Sequence, residues 1–180
     1  AGIDDPWAAE HHPAADGIHL VDLSSGRSEL VVSLDQLARR DPDAFIEYVF
    51  RGEGGARFVQ DPGHREWQQI WSRYPKSVIL GPVGSGKSSQ ARGRLIWEMG
   101  RDPDDTRIAY VSATQAHPKK QLGSIKEEIA RNPRIWHVFP GLRRGEGERE
   151  EWSSTKILVQ RDSTHPDVTL ECYGAYGSIL

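Results

Sequence analysis

The chain has 180 residues, of which 37% are hydrophobic and 18 are glycine, a composition that excludes global disorder. Its formal net charge of −3 combines an acidic first third with a mildly basic remainder, which suits phosphate binding but is also common on a solvated surface. One cysteine excludes an internal disulfide, and no apolar run approaches the length of a membrane span or a secretory signal. We therefore expect a soluble, intracellular protein without a membrane segment.

The first 55 residues are predicted to form a small α+β lead-in. Residues 1–17 lack any periodicity and are predicted to be a flexible tail, whereas the apolar runs at 18–22 and 29–32 predict a hairpin. Two helical patterns then follow, the first after Ser33 and the second after Asp41. A glycine-containing loop ends this part, so we place a domain boundary there and expect domains at 1–55 and 56–180.

Residues 56–180 are predicted to form an α/β domain with a parallel sheet and flanking helices. The predicted elements, in chain order, are a helix at 65–74, a strand at 77–80, a helix at 87–99, a strand at 107–111 and a helix at 118–131. Beyond a charged loop at 141–151, two strands at 156–160 and 168–173 are predicted to form an antiparallel hairpin beside the parallel strands.

A complete phosphate-binding motif lies where the predicted strand 77–80 meets the next helix. Residues 81–88 read GPVGSGKS, which matches G-x-x-x-x-G-K-[ST] in full. Such glycines let the backbone approach an anion, and the loop amides and the helix N-terminus point toward it. Lys87 is expected to contact the β- and γ-phosphates of ATP, also as the catalytic candidate, and Ser88 to bind Mg²⁺. The predicted nucleotide-binding residues of this segment are Gly81, Pro82, Val83, Gly84, Ser85, Gly86, Lys87, Ser88 and Ser89.

A second acidic residue normally directs Mg²⁺ in ATPases, and it follows an apolar strand. The apolar run at 157–159 continues as Gln160-Arg161-Asp162, which has the wrong charge order for this role. We therefore expect this chain to be a fragment that binds nucleotide but does not hydrolyse it alone.

Several segments occur in an informative order. DPDAFIEYVF at 41–50 and HREWQQIW at 64–71 precede the glycine-rich loop, and IAYVSATQA at 108–116 and GAYGS at 174–178 follow it. In this order the chain, from about Asp41 to its last residue, resembles the ATPase region of the large terminase subunit, the DNA-packaging motor of tailed phages.

This resemblance implies a P-loop NTPase-type sheet, incomplete here at its C-terminal end, in an ATPase that moves double-stranded DNA into a procapsid. It also implies a portal protein and a small terminase subunit as partners, a homo-oligomeric ring, and a location in the host cytoplasm. A glutamine ahead of the loop reads adenine in that family, and Gln68 is the best match. The family's loop often contains an arginine, which residues 82–85 lack, so Arg92 and Arg94 are candidate substitutes.

Other interpretations stay open at this point. A helicase-like ATPase that translocates on nucleic acid and a non-catalytic nucleotide-binding assembly module both fit the motif. A small-molecule kinase fits less well because residues 112–115 offer no acid to bind an acceptor. Gln68 has an alternative interpretation as a helix surface residue, and Trp67 and Trp71 are predicted to pack in the core rather than stack on bases.

Overall fold

The computed structural model describes residues 7–11, 18–22, 27–31, 33–114, 116–145 and 152–176. Within these residues the protein is a mixed α/β structure with six α-helices, one 3₁₀ turn at Glu53–Gly55 and two three-stranded sheets. Among the helices of this part of the chain, none is both long enough and apolar enough to cross a membrane.

The N-terminal sheet is an antiparallel meander of three strands. These are β1 (Trp7–His11), β2 (Ile18–Asp22) and β3 (Arg27–Val31), in the order β1-β2-β3. The predicted hairpin is confirmed, with Ile18 opposite Val31 and Asp22 opposite Arg27. Where the sequence predicted only a tail, Trp7–His11 form a strand paired with β2, because a neighbouring strand satisfies backbone groups that local patterning does not reveal. The rest of the predicted tail lies outside the described residues.

Six helices form most of the remaining structure. They are α1 (Leu34–Arg40), α2 (Pro42–Val49), α3 (Pro62–Arg73), α4 (Lys87–Arg101), α5 (Ala116–Arg131) and α6 (Pro133–Val138).

Three of these helices begin in the same way, with a capping side chain followed by proline. The side chains of Asp41, Asp61 and Asn132 accept hydrogen bonds from backbone amides in the first turns of α2, α3 and α6. Proline suits the first helical position because its missing amide would have no helical partner there. The Asn132-Pro133 pair therefore both ends α5 and starts α6, a short helix that the sequence pattern did not predict.

The second sheet combines one parallel and one antiparallel pair. Its strands are β4 (Ile108–Ser112), β5 (Lys156–Ile157) and β6 (Leu170–Gly174), in the order β4-β6-β5. β4 and β6 are parallel, whereas β5 and β6 are antiparallel. The strand predicted at 107–111 and the antiparallel pairing predicted beyond the charged loop are thus confirmed, although β5 ends at Ile157 rather than at residue 160. Residues 146–151 of the charged loop lie outside the described residues.

The strand predicted at 77–80 is wrong. These residues belong to no strand, and the side chains of Val78 and Leu80 are 85% and 88% exposed. An isolated strand is unstable because its amides and carbonyls need a neighbour, and a short apolar run in a sequence does not supply one. The described sheet that follows the glycine-rich loop is consequently small and mixed rather than a parallel sheet centred on that loop.

One hydrophobic core joins α1, α2, α4, α5 and α6 to the second sheet. The indole Nε1 of Trp97 in α4 donates to the carbonyl of Ala38 in α1 at 3.0 Å, so residues on both sides of position 55 share this core. α4 also approaches α2 and Phe139 very closely at Gly93 and Gly100. The largest fully buried apolar side chains are Phe45, Ile46, Ile96, Met99, Leu122, Ile125, Ile129, Ile135, Leu142, Ile157 and Leu170.

Candidate functional site

The glycine-rich loop curls directly into the first turn of α4. Gly84 and Gly86 have φ angles of 81° and 79°, in the left-handed region that glycine adopts without a steric cost. Gly86 is the N-cap residue of α4, a helix of 15 residues. The loop therefore places backbone amides and the positive end of a long helix at one point, which is the physical basis of an anion site.

Lys87 is the first residue of α4, and its side chain turns back over the loop. Its ammonium Nζ donates to the carbonyls of Gly81 (2.6 Å) and Pro82 (2.5 Å) and to the hydroxyl of Ser85 (3.1 Å). An ammonium has three protons to donate, so these three oxygens account for all of them. The cation is thus held within the curl of the loop, surrounded by neutral oxygen atoms.

The remaining predicted residues of the loop differ in exposure. Ser88 and Ser89 are exposed on the first turn of α4, with the Ser88 hydroxyl as the candidate Mg²⁺ ligand. Val83 is fully exposed at the tip, next to exposed Pro82. Within the described residues, no group of three or more His, Cys, Asp or Glu side chains is placed to hold a metal ion.

A cavity of about 340 Å³ opens beside the loop. Its walls come from the loop, from α3 and α4 and from Phe58, and it is large enough for a small organic group. Trp67 lies in this wall and is half-buried, and neither Trp67 nor Trp71 belongs to the hydrophobic core. The prediction that both tryptophans pack in the core is therefore wrong. The lining residues are Phe58, Asp61, His64, Trp67, Gly84, Ser85, Gly86, Ser89 and Gln90.

Gln68 is fully buried, so its alternative interpretation as a surface residue is wrong. Its amide Nε2 donates to the side-chain oxygen of Gln90 at 3.0 Å and to the Gln90 carbonyl at 3.2 Å. Gln68 Oε1 and Gln90 Nε2 are both buried without a hydrogen-bond partner. Gln90, rather than Gln68, lines the cavity. Sequence reasoning missed Gln90, although its position one turn after Lys87 on the same helix could have indicated it.

The two arginines considered as substitutes for a loop arginine have different environments. Arg94 binds Glu98 at 2.8 Å and the hydroxyl of Ser72 in α3 at 2.8 Å, so it fastens α3 to α4. Arg92 lies over the ring of Phe50, with 5.8 Å between its guanidinium carbon and the ring centroid. It lines a second cavity, of about 590 Å³.

Comparisons of the chain with protein-family models, with curated proteins and with solved structures found no match.

Proposed function

We propose that residues 81–89 bind the phosphates of ATP together with Mg²⁺, and that the chain is the ATP-binding part of a viral DNA-packaging motor of the large-terminase type. The observation that carries the binding proposal is the position of the Lys87 ammonium, within the curl of a loop that ends on a helix N-terminus. A cation beside the N-terminus of a helix favours a multiply charged anion.

Binding of a phosphate exchanges the partners of Lys87. Its present partners are neutral oxygens of Gly81, Pro82 and Ser85, whereas phosphate oxygens carry charge. The present bonds already have a charged donor, and a phosphate oxygen adds a charged acceptor, so Coulomb attraction favours turning the ammonium toward the ligand. The loop carbonyls that it leaves belong to exposed residues and are free to bind water.

The adjoining cavity suits the base of the nucleotide. Phe58 and Trp67 offer aromatic surface to a planar ring, and the Gln90 amide offers a polar group without a partner. Gln68 holds Gln90 through its own amide. The adenine preference that the resemblance implies for Gln68 would then be exerted through Gln90, since a glutamine amide both donates and accepts.

The packaging role rests on the order of the resembling segments and extends the binding proposal. In this role ATP hydrolysis drives double-stranded DNA into a procapsid, with a portal protein, a small terminase subunit and a homo-oligomeric ring as the implied partners. Its test is a packaging assay with procapsids, duplex DNA and the intact packaging protein. Substitution of Lys87 by alanine should abolish packaging. Unimpaired packaging by that variant would contradict the assignment.

Nucleotide binding is tested by the Lys87→Ala variant. It should lose about 100-fold in affinity for a fluorescent ATP analogue, because several charge-assisted hydrogen bonds are lost together. Lys119→Ala is the matched control, since Lys119 is an exposed lysine at the start of another helix, and its affinity should equal that of the wild type. Undiminished affinity in Lys87→Ala would contradict the phosphate site.

Base recognition is tested by Gln68→Ala and Gln90→Ala. Both substitutions should weaken the binding of ATP more than that of GTP or CTP, because each removes one of the two glutamine side chains, here called the amide pair, beside the cavity. Gln69→Ala provides the control, as Gln69 is the exposed neighbour of Gln68. Equal losses for the three nucleotides would show that the amide pair does not read the base.

Catalysis by this chain is tested by phosphate release with and without duplex DNA. We expect turnover no greater than that of Lys87→Ala, since no second acid follows the apolar runs after the loop and groups that orient the attacking water contribute orders of magnitude in rate. Robust Lys87-dependent turnover would show that another residue supplies this acid.

A further inference from the structure

His64 extends from the first turn of α3 to the glycine-rich loop. Its ring Nε2 donates to the carbonyl of Ser85 at 2.9 Å, and its side chain is 16% exposed. The same ring lies against Gly86, where an added Cβ would come within 2.9 Å of Nε2. His64 thus contacts two consecutive residues of the loop. Two features favour glycine at position 86: the short distance to the His64 ring and the positive φ angle.

The imidazole of His64 lies between Asp61, Trp67 and the loop, and its Nδ1 makes no hydrogen bond. Asp61 caps α3 by accepting the His64 backbone amide at 2.9 Å, and its second carboxylate oxygen lies 3.4 Å from ring Nδ1. Trp67 meets the ring edge-on, with 5.2 Å between centroids. Because the Ser85 carbonyl only accepts hydrogen bonds, Nε2 carries the proton. The bond to the loop therefore requires a form of the imidazole that is protonated at Nε2.

We propose that His64 is a positioning residue that holds the phosphate-binding loop in its curled form before the ligand arrives. A trans peptide is planar, with its C=O and N–H in opposite directions. Holding the Ser85 carbonyl toward α3 therefore directs the Gly86 amide away from His64. Lys87 uses other oxygens of the loop, so its partners can change while the bond between His64 and Ser85 persists.

For ligand binding, this positioning lowers the conformational entropy that the loop loses when the ligand binds. A loop that is already curled loses less conformational freedom when phosphate binds. This consequence rests on the proposed function of the loop, whereas the positioning of the loop by His64 does not.

Three variants separate this role from a general effect of substitution. His64→Ala removes the donor, and His64→Gln retains an N–H donor on a side chain of comparable reach. His117→Ala is the control, because His117 is exposed on the first turn of α5.

The first measurement is hydrogen exchange in a peptide that covers residues 82–88, without any ligand. Exchange should be about three- to tenfold faster in His64→Ala, as expected for one lost hydrogen bond. It should return toward the wild-type rate in His64→Gln and stay unchanged in His117→Ala. Unchanged exchange in His64→Ala, or equally fast exchange in His64→Gln, would overturn the inference whatever the loop binds.

The second measurement compares the affinities of ATP and of inorganic tripolyphosphate. Both should fall by a similar factor, about three- to tenfold, in His64→Ala, because a misplaced loop affects the phosphates of either ligand. A loss confined to ATP would overturn the inference, since His64 would then contact the sugar or base. If the wild-type chain binds neither ligand, the proposed function fails, and the exchange measurement alone still decides the role of His64.

Discussion

The two ends of α4 lie in contrasting surroundings. Its C-terminal half packs into the core, where Ile96, Trp97 and Met99 are at most 3% exposed. Its N-terminal end follows a segment in which Val78 and Leu80 are more than four-fifths exposed. One helix therefore has a closed apolar environment at one end and an open loop at the other.

This contrast shows that apolar residues are used for different purposes in the two regions. In the core they supply stability through burial, at roughly 25 cal/mol per Å² of apolar surface removed from water. Beside the loop, exposed Val78 and Leu80 contribute little to the described fold. The loop region is shaped by backbone conformation and by polar contacts instead, such as those of Lys87 and His64.

The largest change in the free energy of unfolding is expected for a substitution in the core. Ile96→Ala should lower the free energy of unfolding by about 2–5 kcal/mol, because it removes buried methyl groups and leaves a cavity. The matched variant Leu80→Ala should change it by less than about 0.5 kcal/mol. Urea denaturation measures both values. A loss in Leu80→Ala as large as that in Ile96→Ala would show that residues 77–80 are packed in solution.

Glycine-to-alanine substitutions in α4 and α5 are expected to change the free energy of unfolding in opposite directions. A Cβ at Gly93 would lie 2.6 Å from Cγ1 of Ile46, whereas a Cβ at Gly123 has no neighbour within 4 Å. Gly93→Ala should cost about 1–3 kcal/mol through overpacking. Gly123→Ala should gain about 0.5–1 kcal/mol from helix propensity. The pair is compared by thermal or urea unfolding, and a stabilised Gly93→Ala would mean that α2 and α4 pack less closely than described.

The smallest effect concerns the pH dependence of the core at Cys172. This thiol is 2% exposed, and burial raises its pKa, an effect that nearby Lys126 partly opposes. The folded protein then keeps the thiol proton to higher pH than the unfolded chain. The free energy of unfolding should therefore fall as pH rises above about 8.5, by no more than about 1.4 kcal/mol per pH unit from this group.

Unfolding measured at pH 7 and pH 9.5 in the wild type and in Cys172→Ser isolates this contribution. Other alkaline groups remain in both proteins, so the difference between the two pH dependences reports Cys172. An identical pH dependence would show that the thiol pKa does not differ between the folded and unfolded states.

The sequence by itself determined the features that depend on neighbouring residues. The capping residue Asp41 and the proline after it define where α2 begins, as predicted. Asp61 and Pro62 begin α3 in the same way, whereas the apolar pattern alone predicted a start at residue 65. Gly84 and Gly86 adopt the left-handed conformation that glycine takes without steric cost. Each of these features is local, because a side chain within a few positions satisfies or constrains the backbone.

Only the tertiary structure decided the features that depend on residues far apart in the chain. A short apolar run predicted a strand at 77–80, but it has no pairing partner among the described residues, whereas Trp7–His11 form a strand by pairing with β2. The buried Gln68 amide donates to Gln90, 22 positions later, and His64 reaches Ser85 across 21 positions. Backbone pairing and hydrogen bonds of buried polar groups require partners that folding brings together. A local sequence pattern does not identify those partners.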